Sequence, residues 1–292
     1  MQTARDGDFE TFALLWDIVG EVYEQRQSFL TTRILEDQKI AYLAMPTFFG
    51  GFGAPTIHVA YYEEKIFNFY HEIQGFQHLI VDLRGNLGGF WEYIFRMVVA
   101  PNISETAIAD GFVFLIRDTY NMRFVSGAMN LHNNLRGIRG TPGTDTMTVA
   151  EILEGFYLPE LNVSDMYRLD YGFQIQTFVH PRRLTWFDYR PAFDGKIWLL
   201  TDRHMYSAAE LVARFVQETG FATLVGEVTG GAFGGRFTRR TLPNSPLRID
   251  FDLFYITDSR GRPLEAGTIP HHFNRPGMDA LETTLALIAE GQ

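Results

Sequence analysis

Residues 201 to 235 read TDRHMYSAAELVARFVQETGFATLVGEVTGGAFGG and place one serine, Ser207, between an apolar run and an amphipathic one. The five residues before this stretch, Lys196 to Leu200 (KIWLL), are a short apolar run of strand type. Leu211, Val212, Phe215 and Val216 then recur at helical spacing, and Gly220 is placed to end that helix in a left-handed conformation. Ser207 therefore heads a helix, where unpaired N–H groups and the positive end of the helix dipole favour a developing negative charge. The same residues have a plainer reading. Ser207 with Glu210 three positions on is the signature of a capping box, which needs no chemistry.

A second stretch, Asp82 to Gly89 (DLRGNLGG), follows the strand-like run His78 to Leu83. Three glycines in five residues permit positive φ angles and close backbone approach, so the loop can aim N–H groups at a carbonyl oxygen. It lacks the Lys-Ser/Thr ending of a phosphate loop, which disfavours nucleotide binding.

In this order, DLRGNLGG, SAAE after an apolar strand, VGEVTGG and the closing LEAGTIP resemble the catalytic core of the C-terminal processing peptidases, or tail-specific proteases, over roughly residues 39–288. The resemblance implies a serine endopeptidase with Ser207 as nucleophile and an oxyanion hole from the N–H groups of Gly88 and Ala208. It also implies supporting roles for Arg84, Gly89, Glu210 and Thr229, a core sharing the fold of the ClpP and crotonase enzymes, and work outside the cytoplasm (periplasm, cell surface or secreted).

The chain departs from that pattern at the general base. Many members carry a lysine three residues after the threonine of their TxGK motif, where this chain has Ala232. A branch resembling the tricorn proteases uses a histidine on the early strand with a late glutamate. Glu265 is the counterpart of that glutamate, but the strand, IAYLAMP (Ile40 to Pro46), has no histidine. A serine hydroxyl at its free pKa needs a group to take its proton. His204, three residues before Ser207, is the nearest candidate by sequence, and its ordinary pKa suits proton transfer. His58, His180, His271 and His272 are further candidates that sequence does not position, and Lys196 reads as a solvated strand end. The TGG…LPNS pattern from Thr229 to Ser245 resembles bacterial members that also lack the lysine. The family's closing motif has an aspartate after its proline, where Pro270 is followed here by His271.

Three functions are compatible with these residues. The first is a serine endopeptidase acting on a peptide or protein. The second is a non-catalytic peptide-binding relative that has lost its base. The third, a different acyl hydrolase or acyl-CoA enzyme on the same fold, calls for an adenine-nucleotide cleft and basic residues that the sequence does not offer.

Composition narrows the rest. The chain has 292 residues, 46% hydrophobic and 21% charged, enough for a sizeable core in one large or two small domains. A formal net charge of −10 argues against nucleic acid or an anionic membrane as the main partner. With zero cysteines there is no disulfide, no thiolate metal ligand and no thiol nucleophile. No metal or other cofactor is expected, since HExxH and Asp-rich calcium loops are missing. No leader or membrane span is read, as no apolar run approaches the ~20 residues a spanning helix needs. Oligomeric state is not legible.

The order of elements predicts an α/β layered core with a mostly parallel sheet. Residues 1–38 read as an N-terminal helical segment, with an apolar stripe from Phe9 to Val22 and too little chain before Ile40 for a PDZ-type domain. Residues 39–292 read as the core, with 100–194 inserted as a lid or side subdomain. In that insertion FVFLIRDT (Phe112 to Thr119), MRFVSGAM and Gln174 to Tyr189 have strand character, and Thr148 caps a helix to Leu158. The loop Phe48 to Pro55 and the aromatics Trp186, Phe187 and Tyr189 suit a groove wall or an apolar pocket. Helices are expected over 61–73 and 91–99, alternation over Leu247 to Ile256 predicts a strand, and Asp279 caps a final helix to Ala289.

Overall fold

The structure is a computed structural model and describes residues 30–48, 56–115, 138–139, 146–182, 191–231, 238–251 and 254–292. The N-terminal helix, the loop 49–55, MRFVSGAM, the aromatics at 186, 187 and 189, and Ala232 lie outside the described residues.

The central sheet runs β1 (Thr31–Glu36), β2 (Ile40–Ala44), β3 (His78–Asp82), β8 (Lys196–Thr201), β9 (Thr223–Gly226), β13 (His272–Phe273). From β2 onward every neighbouring pair is parallel, and β1 alone is antiparallel, as a hairpin partner of β2. The strands HLIVD and KIWLLT are near-continuous apolar runs because the parallel sheet is covered on both faces. Residues two apart share a face: Leu79, Val81, Leu199 and Leu224 pack on one side, and Ile80, Trp198, Leu200 and Val225 on the other.

The first face is covered by α1 (Thr56–Glu72), by a short α2 (Glu92–Ile94) that widens into a π turn over Phe95–Val99, and by α4 (Ala208–Thr219). Here Phe95 meets Phe215 at 4.8 Å between ring centroids. The second face is covered by α5 (Ala280–Ala289) through Ala280, Leu287 and Ile288. Asp279 caps α5 in a full capping box with Glu282, and Gly220 closes α4 at φ 67°.

The segment between β3 and β8 contributes a second sheet. In it β12 (Tyr255–Asp258), β4 (Ala107–Leu115), β7 (Tyr171–Val179) and β5 (Ile138–Arg139) are neighbours in that order, and β6 (Met147–Thr148) also pairs with β7, all antiparallel. Helix α3 (Val149–Gly155) packs Ile152 against Phe112 and Phe114 and is started by the Thr148 capping box. The alternating run Leu247 to Ile256 is divided. Its first half is β11 (Arg248–Phe251), paired with β10 (Thr238–Thr241), and its second half is β12.

Helix α4 joins the two sheets. Every residue from Ala208 to Val216 is buried, so the helix has no solvent face over two turns. Arg214 on it meets Asp258 of β12 at 2.5 Å, both side chains buried, and Glu218 accepts the N–H groups of Asp110 and Ser259 at 3.2 Å each. Whatever sits at the head of α4 is thus held by both sheets. No helix among the described residues is long and apolar enough to cross a membrane.

Candidate active site

Ser207 occupies the tight turn between β8 and α4 with φ 55° and ψ −120°, a conformation that non-glycine residues rarely adopt. It makes no capping hydrogen bond, so the capping-box reading of Ser207 and Glu210 is overturned. The reason lies in Glu210. Its carboxylate turns into the protein, where the Thr229 hydroxyl donates to Oε2 and the Thr268 hydroxyl donates to Oε1 at 2.7 Å. Thr229 Oγ1 in turn accepts the Thr268 N–H at 2.6 Å. Burial pushes the Glu210 carboxyl up, opposed by these two hydroxyls and by Arg214. Glu210 is therefore a buried brace between α4 and the segments carrying Thr229 and Thr268. Glu210→Ala orphans two buried hydroxyls and is expected to cost about 3 kcal/mol in denaturant unfolding. A loss below about 1 kcal/mol would remove the brace from the account.

The glycine loop meets Ser207 directly. A Cβ built on Gly88 would lie 2.9 Å from Ser207 Cβ, 3.0 Å from Ala208 N and 3.0 Å from Tyr206 O. Gly88 has φ 102°, and Gly89, at φ 125°, lies so close to Phe48 that a Cβ would fall 1.8 Å from its carbonyl oxygen. Both positions thus require glycine, for backbone angle and for room. The N–H of Ala208, first of the helix, makes no hydrogen bond among the described residues. The N–H of Gly88 donates to Asn86 Oδ1 at 2.8 Å.

On the opposite side, the Ser207 N–H donates to the Gly231 carbonyl at 3.3 Å and the Gly230 N–H to the Met205 carbonyl at 2.8 Å. Thr229 belongs to this wall. The 3-10 turn Leu264–Ala266 lies behind it, with the Glu265 carbonyl 2.7 Å from where a Gly231 Cβ would stand. The exposed Glu265 is so brought to the strip beside Ser207.

Other sequence candidates are elsewhere. His204 is exposed, its N–H donates to Asp202 Oδ1 at 3.0 Å, and no hydrogen bond joins its ring to Ser207. His271 Nδ1 accepts the Leu224 N–H at 2.8 Å, and burial lowers its pKa. His180 pairs with Thr106 at 2.8 Å, and Lys196 sits 4.3 Å over the Trp198 ring. Arg84 forks onto Asp82, with Nη2 at 2.7 Å from Oδ2, and reaches Asp279 at 2.9 Å, which ties the loop's root to the start of α5.

Two residues that sequence reasoning did not single out complete the frame. Asp202 Oδ1 accepts the N–H groups of Gly85 and His204 at 3.0 Å each, linking the glycine loop to the turn before Ser207. Asn86 is wholly buried between the two. Its place inside DLRGNLGG was the available signal.

Glu92, four residues past Gly88, is an anomaly: both carboxylate oxygens are buried, and neither has a side-chain or main-chain partner elsewhere among the described residues. Burial raises its pKa. A raised carboxyl pKa leaves stability intact below the ordinary glutamate range and erodes it as pH rises through the folded-state value. Glu92→Gln is therefore expected to raise the melting temperature by a few degrees, roughly 1 kcal/mol, at neutral pH. The gain should vanish near pH 4, as melting curves across pH would show.

A serine at a helix head is thus pressed against a glycine loop from another crossover of a parallel sheet. The chain belongs to peptidase family S41, whose model matches residues 39–273. Solved structures agree on the fold. A candidate peptidase from Parabacteroides merdae is 17% identical with a TM-score of 0.56, covering 89% of this chain and 64% of that one. Mature CPAF complexed with lactacystin is 17% identical with a TM-score of 0.52, over 84% of this chain and 49% of CPAF. A lipoprotein from Streptococcus agalactiae is 13% identical with a TM-score of 0.50, over 91% and 71%. The chain thus spans less than two thirds of the length of the first two. No curated protein matches it significantly.

Proposed function

We propose that this chain is a serine endopeptidase of the C-terminal processing type, on a core of the ClpP and crotonase kind. In this reading Ser207 attacks the carbonyl carbon of a peptide bond, and the N–H groups of Gly88 and Ala208 stabilise the resulting oxyanion. The observation that carries it is the contact of Gly88 with Ser207 and Ala208, made across 119 residues of sequence while Ser207 is held at φ 55°. A strained non-glycine residue persists only where the surroundings impose it, and such residues cluster at reactive sites. The bond order of events is that of acyl transfer: the serine hydroxyl loses its proton, the Oγ–C bond forms, and the peptide C–N bond breaks as its nitrogen is protonated.

The proton acceptor is unassigned. His204 with Glu265 is the pair the sequence offers, and it requires the turn 202–206 to fold back toward Ser207. The reading also takes residues 100–194 as a side subdomain flanking the groove and expects work outside the cytoplasm.

The second reading, a peptide-binding relative without catalysis, is favoured by one observation: no imidazole or amine is hydrogen-bonded to Ser207 among the described residues. A fluorophosphonate probe separates the two. The peptidase reading expects a covalent adduct mapped by mass spectrometry to the Ser207 peptide. An unlabelled protein that still binds peptide supports the second.

A further inference from the structure

Asn86 spends each of its polar groups on a different neighbour. Its Nδ2 donates to the Met45 carbonyl at 2.8 Å, just beyond β2, and its Oδ1 accepts the Gly88 N–H at 2.8 Å. Its backbone carbonyl accepts the Tyr206 N–H at 3.1 Å, one residue before Ser207, and its own N–H donates to the Leu83 carbonyl at 3.0 Å. An Asx turn alone would need only the Oδ1 bond. The remaining bonds tie the ends of β2 and β3 and the turn after β8 to a single wholly buried side chain and its backbone.

We propose that Asn86 is the positioning residue of the oxyanion site: it fixes the glycine loop against the Ser207 turn and lends its Oδ1 to the Gly88 N–H until the substrate oxygen carries charge. The proposal rests on the peptidase reading above. A neutral amide oxygen is a weaker acceptor than an alkoxide, since charge-assisted hydrogen bonds are roughly twice as strong as neutral ones. The Gly88 N–H therefore leaves Asn86 only as negative charge develops on the substrate. A contact that strengthens between ground state and transition state raises kcat without tightening substrate binding. Gly88, with no Cβ, allows its amide to reorient at φ 102°.

Two variants test this. Asn86→Asp keeps the side chain's shape and gives up the Nδ2 donor to the Met45 carbonyl, and it offers a charged acceptor that holds the Gly88 N–H and opposes a neighbouring oxyanion. Its fluorophosphonate acylation rate is expected to fall about 100-fold at pH 7. The ratio to the parent rate should recover as the carboxyl is protonated at lower pH. In Asn86→Ala the Gly88 amide should exchange with solvent about tenfold faster or more, by NMR, with exchange in β3 and β8 unchanged. If Asn86→Ala does not fold, the near-isosteric Asn86→Asp carries the test. Parental acylation by Asn86→Asp at pH 7, or parental Gly88 exchange in Asn86→Ala, overturns the proposal. If the parent protein takes no label yet Asn86→Ala exposes the Gly88 amide, the peptidase reading falls and the tie between loop and turn stands.

Discussion

Ser207→Gly is expected to be more stable than the parent protein by about 1 kcal/mol while taking no fluorophosphonate label. The gain follows from backbone conformation. At φ 55° and ψ −120° a residue with a Cβ is strained, and only glycine adopts such angles freely. The residue is held there by bonds on both sides, Tyr206 N–H to Asn86 and Ser207 N–H to Gly231. Glycine keeps those bonds and relieves the strain, and this offsets the entropy it adds to the unfolded chain. The loss of label follows because the substitution removes the attacking hydroxyl. Ser207→Ala separates the two effects: it should also take no label, yet remain within about 0.5 kcal/mol of the parent, since alanine keeps the strained Cβ. Calorimetry and labelling on the three proteins check both halves. A Ser207→Gly variant less stable than Ser207→Ala would show that the conformation is not strained.

Gly88→Ala is expected to lower acylation by 100-fold or more, roughly the effect of losing one oxyanion donor. The added methyl would stand 2.9 Å from Ser207 Cβ and 3.0 Å from both Ala208 N and Tyr206 O, closer than a methyl packs against such atoms. None of the three neighbours can yield cheaply, because two are backbone atoms and the third is the Cβ of a residue already fixed by its turn. Relief must come from the loop moving off Ser207, which separates the two N–H groups. Gly85→Ala is the control from the same loop. Gly85 also has positive φ, at 73°, but nothing lies within 4 Å of a Cβ built there. It should lose about 1 kcal/mol of stability and keep its labelling rate. Equal losses of labelling in the two variants would show that loop strain, and not proximity to Ser207, governs reactivity.

What the sequence made legible was local. HLIVD and KIWLL were readable as buried strands because both faces of a parallel sheet are covered. Gly220, Thr148 and Asp279 were readable because a cap is defined within a few residues. The helix expected over 91–99 was readable only as apolar spacing, and that spacing carries no sign of the π turn over Phe95–Val99, where Phe95 meets Phe215 of α4.

Other features depended on partners far along the chain. TTRILE of β1, within the segment assigned ahead of the core, has no strand alternation of apolar residues and owes its strand to pairing with β2. LRIDFDLFYI reads as one strand, alternating as far as Leu253, yet its halves join different sheets, β10 on one side and β4 on the other. Ser207-x-x-Glu210 spells a capping box equally well as an elbow. Thr229 and Thr268 decide between them by drawing the carboxylate inward. The meeting of Gly88 with Ser207 was implied by the order of motifs in a family resemblance and not by any spacing.

The central claim is that two backbone amides from distant segments converge where an oxyanion forms on Ser207. A crystal structure of the fluorophosphonate adduct tests it most directly. The phosphonyl oxygen is expected within about 3 Å of both the Gly88 and the Ala208 nitrogen. An adduct whose oxygen faces solvent, with the Gly88 amide still bonded to Asn86, would contradict it.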